Sequence, residues 1–492
     1  PRLRFEALRR TATIPLVTGV ATAAVGVGAL LSDPHRRTHL RRSARVWRLT
    51  GRRGLSWAVL QVRGRRADEH QRARLEERFA IRSAEDVARE LGNMKGAIMK
   101  AGQMVSFIAD GLPPEAKSAL ASLQADAEPM APSLAEGVVT SELGRPISRL
   151  FLDWDPVPVA AASIGQVHRA VMPDGRLVAV KVQYPGVDRA IRSDLNNAEL
   201  LYGMFSSFAL KSLDTKALVD ELRARMADEL DYRIEARCQV EFAERYRGHP
   251  FIRVPDVVAE RSSRRVLTSD WVDGQRWDEF LAAADDGARQ RAGEVLFRFA
   301  QGSVHRHRVF NGDPHPGNYR FHRDGTVTFL DFGLVKRWMP GELEQLSPIL
   351  DPLLAHDVEG TVRSLVAAGF LADGHGLDAE LVWQYVSNPY APYLEDEFTF
   401  TRDWTSKALG RALDLSGPCA EVIKRLDMPP SFVILDRVVW GMAALLGRLE
   451  ATGRWRGVLD EYRIDAPPVT ELGEAEARWQ RQALASRAPG GR

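Results

Sequence analysis

The spacing of apolar residues divides the chain into helical and extended segments. Between residues 82 and 129, apolar side chains recur near the 3.6-residue period, which predicts helices. The stretches Gln166–Met172 and Leu177–Gln183 are predicted strands, and the Asp174–Gly175 dipeptide between them is typical of a hairpin turn. A helical pattern returns from residue 193 to residue 244. These patterns place a strand hairpin between two helical regions.

The second half of the chain is predicted to be mostly helical. A short strand is expected at Val266–Val272, and helices follow from Trp277 onward. A loop at Asn311–Asn318 and a pair of strands flanking Asp324–Gly325 interrupt them. Residues 466–492 are polar and rich in Ala, Arg and Glu, so they are predicted to form a polar tail or a fraying helix.

Charge is distributed unevenly along the chain. Residues 1–66 contain 15 Arg, no Lys and two acidic residues, a net charge of +13 in a chain whose total is only +2. Within this basic arm, residues 11–31 carry no charge across 21 positions, which is long enough to cross a bilayer as a helix. Most of the Arg residues follow this segment, so the positive-inside rule places the rest of the chain in the cytoplasm.

Three interpretations of residues 11–31 remain open at this point. The segment can be a membrane anchor, a buried or surface-lying hydrophobic helix, or a signal peptide that is removed. We expect the anchor, because the length and the flanking charges fit it best. The Arg-rich flank is expected to contact anionic lipid headgroups rather than nucleic acid, because no recognisable nucleic-acid-reading module accompanies it.

Composition narrows the class of protein further. Hydrophobic residues make up 45% and charged residues 27% of the 492 positions, which excludes a disordered or fibrous chain. Two cysteines, Cys238 and Cys419, exclude a disulfide scaffold and a cysteine-rich metal centre. The chain holds 58 Arg but only nine Lys, so each lysine stands out as a position where arginine would not serve.

Three segments occur in the order that phosphoryl transfer by a protein kinase requires. A predicted strand ends in Lys181, a loop carries Asp313 and Asn318, and Asp331 begins an Asp-Phe-Gly sequence. In a kinase site the lysine holds the ATP phosphates, the loop Asp serves as base, and the Asn and the second Asp bind Mg²⁺. Hard cations prefer such oxygen ligands, and a buried lysine needs a carboxylate partner to keep its charge. The sequence therefore predicts an ATP and Mg²⁺ site.

With these segments the chain resembles the UbiB family of protein-kinase-like proteins, the bacterial relatives of the mitochondrial ADCK proteins. The resemblance extends motif by motif over residues 80–350 and more loosely to about residue 455. Four features are particular to that family: an alanine-rich nucleotide loop, a KxGQ motif, an ExD motif and a DPHPGN catalytic loop. The residues concerned are Ala160, Ala161, Ala162, Ser163, Ile164 and Gly165 in the nucleotide loop, Lys100 and Gln103 in KxGQ, Glu229 and Asp231 in ExD, and Asp313 in DPHPGN.

The resemblance implies a role for each motif. The alanine-rich loop would bind nucleotide in place of a glycine-rich loop, and the helix carrying Lys100 would occupy the space that a peptide substrate needs. Glu235 would pair with Lys181, and Glu229 and Asp231 would face the nucleotide or the KxGQ lysine. Asp231 and Glu235 are four positions apart, which on one helix would place them on the same face.

The fold implied by the resemblance is α+β. It is a two-lobed protein-kinase-like fold with an N-terminal helical KxGQ extension and a helix-rich C-terminal lobe. In chain order, the expected parts are the basic arm (1–66), the helical extension (67–150), the N-lobe (151–272) with a helical insertion at about 188–228, the C-lobe (273–465) and the polar tail (466–492).

The activity implied by the resemblance is that of an atypical kinase or ATPase that binds Mg-ATP and supports isoprenoid quinone biosynthesis at the membrane. Its expected partners are ATP, a membrane lipid or isoprenoid quinone precursor, and a quinone-biosynthesis complex; formation of a homodimer is left open. Two alternatives remain, a small-molecule phosphotransferase and a nucleotide-sensing scaffold that binds lipid or protein. The intact Lys181, Asn318 and Asp331 favour catalysis over the scaffold.

Overall fold

The computed structural model describes residues 130–162, 164–187, 229–412, 414, 417–427 and 430–487. All of them belong to the second of the two structural units of the chain, 87–492. Residues 11–31, Lys100, Gln103, Ser163 and the insertion at 188–228 lie outside the described residues, and what the sequence predicts for them stays a prediction. Within the described ranges, no helix combines the length and the apolar character that crossing a bilayer would need.

The described chain contains short strands in its first half and mainly helices in its second. The strands are β1 (Asp153–Trp154), β2 (Ala160–Ala162), β3 (Gly165–Val171), β4 (Leu177–Gln183), β5 (Ile252–Arg253), β6 (Val266–Asp270), β7 (Val309–Asn311), β8 (Tyr319–Phe321), β9 (Val327–Phe329), β10 (Val335–Arg337), β11 (Phe398–Thr399) and β12 (Thr452–Gly453). The helices are α1 (Pro132–Leu143), α2 (Ile147–Leu150), α3 (Tyr232–Arg245), α4 (Trp277–Ala283), α5 (Asp286–Gln301), α6 (Glu342–Leu354), α7 (Val358–Ala367), α8 (Ala379–Ser387), α9 (Arg402–Ala412), α10 (Ala420–Arg425), α11 (Pro430–Leu449), α12 (Trp455–Arg463) and α13 (Glu471–Arg487).

An antiparallel sheet forms the first lobe. Its strand order is β1–β3–β4–β6, and β2 pairs with the same edge of β3 as β1. The β3–β4 hairpin matches the two strands that the sequence predicts to within one residue. Along β4, the side chains alternate between the faces of the sheet: Val178, Val180 and Val182 are fully buried on one face, and Lys181 lies on the other.

Different helices lie at the two faces of this sheet. Ala135, Val138 and Val139 of α1 pack with the β4 valines in one hydrophobic cluster. The opposite face carries Lys181, whose side chain reaches Glu235 of α3. The alternation of apolar and polar residues along β4 therefore turns the lysine away from the core and towards α3.

The turn between β2 and β3 depends on a glycine. Gly165 pairs with Ala162 across this turn and with Gln183 on β4. A Cβ atom at Gly165 would lie 2.2 Å from the carbonyl oxygen of Val182, which no real side chain could tolerate. The two backbones approach so closely that only glycine fits at this position.

Helix α5 runs through the core of the second lobe. Its Val295 and Leu296 are fully buried, and its Phe299 stacks on Phe329 of β9 at 3.7 Å between ring centres. Two small sheets, β5–β9–β8 and β7–β10, lie in the same lobe. The predicted strand pair flanking Asp324–Gly325 is confirmed as β8 and β9.

The C-terminal segment forms helix α13, as one of the two predicted alternatives has it, but this helix packs on the second lobe instead of fraying into solvent. Leu472 and Glu476 of this helix are only 5% and 6% exposed. The Arg298 side chain, which is fully buried, lies 2.7 Å from Glu294, 2.8 Å from Glu461 and 3.5 Å from Glu476. Burial of Arg298 is tolerable only because several carboxylates surround its guanidinium.

We expect the substitution Arg298→Met to lower the free energy of unfolding by about 3–5 kcal/mol, because it leaves buried carboxylates without their cation. Urea unfolding followed by circular dichroism would measure this loss. The matched control is Arg247→Met: Arg247 pairs with Asp256, and the two side chains are 63% and 51% exposed. The control should cost less than about 1 kcal/mol, and equal losses in the two variants would contradict the role given to the buried network.

A second pair of variants tests the close approach at Gly165. Gly165→Ala should lower the free energy of unfolding by about 1–3 kcal/mol, because the new methyl group collides with a backbone oxygen. Gly137 lies in the interior of α1 with nothing within 4 Å of an added Cβ, so Gly137→Ala should stabilise by about 0.5–1 kcal/mol. Thermal unfolding measures both, and a neutral Gly165→Ala would show that the β2–β3 turn is not held against β4.

Candidate functional site

A buried ion pair joins β4 to α3. The ammonium of Lys181 lies 2.7 and 2.9 Å from the two carboxylate oxygens of Glu235 and 3.5 Å from Oδ2 of Asp331. Burial by itself would lower the pKa of Lys181, but the charges of Asp331 and Glu235 raise that pKa well above its ordinary value. The structure therefore brings together the lysine and the glutamate that the sequence predicts as partners, and it keeps the lysine protonated.

The ring of Tyr232 packs beside this ion pair. The Lys181 ammonium lies 5.1 Å from the centre of the ring, within the range of a cation–π contact. The Tyr232 hydroxyl is buried and makes no hydrogen bond to the described residues. Burial raises the pKa of Tyr232 far above its ordinary value, so the hydroxyl stays neutral. Tyr232 was not among the predicted site residues. The one hint of it in the sequence is its position between Asp231 and Glu235.

Asp231 caps helix α3 instead of lying within it. Its backbone angles, φ −126° and ψ 91°, are extended, and its carboxylate accepts a hydrogen bond from the backbone N–H of Arg233 at 3.1 Å. The prediction that Asp231 and Glu235 share one helix face is wrong, because the helix begins at Tyr232. Hydrogen bonds from Arg233 also lower the pKa of the Asp231 carboxyl.

The backbone of Glu229 contacts β4, the strand that carries Lys181. Its carbonyl oxygen accepts a hydrogen bond of 3.3 Å from the side-chain amide of Gln183, the last residue of β4. This contact ties the chain that leads into α3 to the strand of Lys181. An interaction of the Glu229 side chain with nucleotide stays a prediction.

The alanine-rich segment is a strand and a tight turn. Ala160, Ala161 and Ala162 form β2, with Ala161 exposed and its neighbours half-buried. Ile164 is buried, and its carbonyl oxygen accepts a hydrogen bond of 2.9 Å from the N–H of Tyr184. The turn is thereby fixed to the end of β4, beside Lys181, where the phosphate-covering loop of a kinase lies.

Asn311 connects the catalytic loop to the Asp-Phe-Gly segment. Its Oδ1 accepts a hydrogen bond of 2.9 Å from the N–H of Asp313, and its Nδ2 donates one of 2.5 Å to the carbonyl oxygen of Asp331. The N–H of Leu330 also donates to the carbonyl oxygen of Asn318 at 3.0 Å. The structure thus brings the three predicted polar residues together, and Asn311 is a further residue of the site that sequence reasoning missed.

Asn318 and Asp331 offer the kind of oxygen atoms that a metal ion prefers. The Asn318 amide nitrogen donates to the carbonyl oxygen of Asp313 at 3.0 Å, which leaves Oδ1 as the atom for a cation. Oδ1 of Asp331 accepts a hydrogen bond of 2.9 Å from the N–H of Gly333, which orients the carboxylate. The described ranges hold no group of three or more His, Cys, Asp and Glu that could bind a metal alone. One amide and one carboxylate suit Mg²⁺ whose remaining ligands are phosphate and water oxygens.

The carboxylate of Asp313 forms an ion pair with Arg437 of α11, and the two side chains are only 15% and 12% exposed. Helix α11 packs directly against the loop: a Cβ at Gly312 would lie 2.7 Å from the side chain of Ile434. The arginine follows the aspartate by 124 residues. No motif marks Arg437, so no signal in the sequence could have found this partner of the candidate base.

His315 supports the local turn of the catalytic loop. It is exposed, and its Nδ1 accepts a hydrogen bond of 3.1 Å from the N–H of Gly317. This bond closes the turn Pro316–Asn318, which carries the candidate metal ligand. The geometry gives His315 a structural part in placing Asn318.

Three comparisons with known proteins bear on this site. The family model of the ABC1 atypical kinase-like domain matches residues 122–365. An uncharacterized chloroplastic aarF domain-containing protein kinase of Arabidopsis thaliana is 32% identical over 301 residues, which are 61% of this chain and 42% of that protein. The chloroplastic protein ACTIVITY OF BC1 COMPLEX KINASE 1 of the same plant is 30% identical over 303 residues, 60% of this chain and 44% of that protein. The chain thus spans less than half the length of these two relatives.

A solved structure covers more of the fold. The complex of Rv3197 with erythromycin, from Mycobacterium tuberculosis, matches with a TM-score of 0.59 and 30% sequence identity over 80% of this chain and 98% of that chain. This agreement confirms the α+β, kinase-like fold that the sequence predicts. With the lysine, the catalytic loop and the Asp-Phe-Gly segment in one cleft, the chain belongs to the ABC1 family of atypical kinase-like proteins, the UbiB and ADCK family.

Proposed function

We propose that the protein binds Mg-ATP in this cleft and transfers its γ-phosphoryl group to water or to a small acceptor, as an atypical kinase or ATPase. The observation that carries the proposal is the arrangement of Lys181 between Glu235 and Asp331. A protonated lysine beside a metal-binding carboxylate is the arrangement that kinases use to hold the phosphates of ATP. Unlike the structural network around Arg298, this set of charges lies beside the loop of Asn318 and the Asp-Phe-Gly segment, which supports a role in nucleotide chemistry.

Each residue has a distinct task in the proposed reaction. Lys181 holds the phosphates, and Glu235 orients its ammonium. Asn318 and Asp331 would supply oxygen ligands for Mg²⁺. The bound metal would neutralise the negative charge of the phosphates, including the charge that develops on the leaving group. Asp313 accepts the proton of the attacking hydroxyl or water, and its contact with Arg437 fixes the direction of its carboxylate.

We further propose that the activity serves isoprenoid quinone biosynthesis at a membrane. The support is the family membership together with the uncharged 21-residue segment 11–31 and its Arg-rich flanks, which would hold the body of the protein against anionic lipid. A quinone precursor is itself a hydrophobic molecule, so an enzyme that helps it to react has reason to stay at the bilayer.

A second candidate function is that of a small-molecule phosphotransferase. The relative from Mycobacterium tuberculosis was solved in complex with erythromycin, a molecule that carries several hydroxyl groups. Transfer of radiolabelled phosphate from ATP to erythromycin by this protein would favour the second candidate. Hydrolysis of ATP without such transfer would favour the first.

The first test is Mg²⁺-dependent ATP hydrolysis with and without anionic liposomes and a phenolic quinone-precursor mimic. We expect the rate to rise with both additions, and to fall by about 10²–10³-fold in Asp331→Asn, because the variant loses the charge that holds the metal. Asp465→Asn is the matched control, since that side chain is 91% exposed and its positive φ of 54° suits asparagine. Nucleotide binding without hydrolysis in the unaltered protein would instead support a scaffold.

The second test concerns the positioning of Asp313. Arg437→Gln should lower kcat by about 10–100-fold at an unchanged KM for ATP, because it frees the base without touching the phosphate site. Arg448→Gln, also on α11 but paired with the exposed Asp278, should leave both constants unchanged. If Arg437 acts through Asp313, then Arg437→Gln should have little further effect in an Asp313→Asn background. Additive losses in the double variant would overturn this assignment.

A further inference from the structure

A cavity in the helix-rich lobe shares none of its lining residues with the nucleotide site. Its wall is built from the end of α5, the turn Gly302–Arg306, the segment Asn388–Tyr393 and one face of α11. The lining residues are Phe297, Gln301, Val304, His305, Leu350, Pro389, Tyr390, Tyr393, Phe400, Leu435, Val438, Val439, Met442, Ala443, Leu446 and Leu459. Pro389, Tyr390 and Tyr393 thus line a cavity, although no motif in the sequence predicts one.

The chemistry of the lining does not suit an anionic occupant. Most of the lining residues are aliphatic or aromatic, and none of them is Lys, Arg, Asp or Glu. His305 is the one ring that could carry a charge, and burial, together with the charge of Arg463, lowers its pKa to about 4. The lining residues are therefore uncharged at physiological pH. The ionisable group that acts on Tyr390 is the carboxyl of Asp436, whose pKa burial raises to about 7, so an anion would lose its hydration in the cavity without gaining a partner.

Several polar groups of the wall nevertheless lack partners within the described chain. Tyr393 is only 7% exposed, and neither its hydroxyl nor that of Tyr390 makes a hydrogen bond to a described residue. The same holds for the side chains of Gln301 and His305. By contrast, the hydroxyl of Tyr385, just outside the cavity, donates to the carbonyl oxygen of Ala412 at 3.2 Å. The groups of the wall are not among the fully buried atoms that lack a partner, so they face the accessible space of the cavity, where a bound molecule could form a hydrogen bond with them.

The backbone around the cavity is also unusual. The turn Gly302–Arg306 has π-helical hydrogen bonding, a conformation that occurs mostly as single turns and is frequent at functional sites. The opposite wall is the 3₁₀ segment Asn388–Tyr393, whose Pro389 and Pro392 stiffen it. The two segments place Val304 and His305 opposite the tyrosines around a fixed space.

The size of the space limits the occupant. The cavity volume is about 50 Å³, and one water needs about 10–15 Å³ by the same measure. The cavity can therefore hold about four waters or one small organic molecule. We propose that this cavity binds a small, uncharged molecule with an apolar body and one hydrogen-bonding group, which Tyr390 and Tyr393 recognise. This binding does not depend on the proposed kinase activity.

The test is a titration of the full chain, labelled with ¹³C at its methionine methyl groups, with 1-hexanol as the probe. The Met442 signal should shift with saturation, because Met442 lines the cavity, while the signal of Met339, which is 61% exposed, should stay in place. Hexanoate, which has the same chain but a charge, should not shift Met442. Equal responses of the two methionines, or an unsaturated shift, would show non-specific partitioning and overturn the proposal.

Two variants make the test specific. Val439→Phe should abolish the saturable shift, because the ring fills the cavity from a position that is already partly exposed. Tyr393→Phe, which removes only a hydroxyl, should weaken the affinity for 1-hexanol by about 3–10-fold. Unchanged affinity in both variants would place the probe elsewhere. None of these measurements uses ATP, so their failure is distinct from a failure of the proposed activity.

Discussion

One ammonium group between two carboxylates determines the electrostatics of the cleft. Lys181 can stay charged in a buried position because Glu235 and Asp331 lie within 2.7 and 3.5 Å of it. Helix α3 positions both acids: it carries Glu235 directly, and its Phe242, two turns further on, packs against Phe332 at 4.8 Å between ring centres. Phe332 follows Asp331 in the chain, so a shift of this single helix would move both carboxylates relative to the lysine.

The candidate base has a different kind of support. Arg437 forms an ion pair with Asp313. The helix that carries this arginine also forms a wall of the small cavity through Val438 and Met442. Helix α11 therefore contacts the catalytic loop on one side and an apolar space on the other. The family model ends at residue 365, well before α11 begins. The contacts of the Asp313 loop thus extend beyond the segment by which the family is recognised.

Sequence reasoning succeeded where function depends on local order. The hairpin of β3 and β4, the loop with Asn318 and the Asp-Phe-Gly segment all have short-range signatures in residue type and spacing. It failed where a charge meets a distant partner, as for Arg437, because ion pairs have no periodicity. It also assigned the polar residues of α13 to solvent, whereas Glu476 is buried against Arg298. The predicted helix was too continuous here, because Asp231 adopts extended backbone angles between the helical residues Glu229 and Tyr232, and a single capping residue does not disturb the helical period of the sequence.

The buried guanidinium of Arg298 has a consequence for synthesis on the ribosome. Its partner Glu461 follows 163 residues later, so at about 5–20 residues per second the arginine waits roughly 10–30 s for the carboxylate that makes its burial tolerable. During that interval Glu294, one turn earlier on α5, faces the guanidinium without Glu461 and Glu476, so closing the second lobe around α5 would bury a charge that has only part of its final set of carboxylates. We therefore expect the helix-rich lobe to complete its packing late in translation, and a chain that stops before α12 to form a less stable version of that lobe.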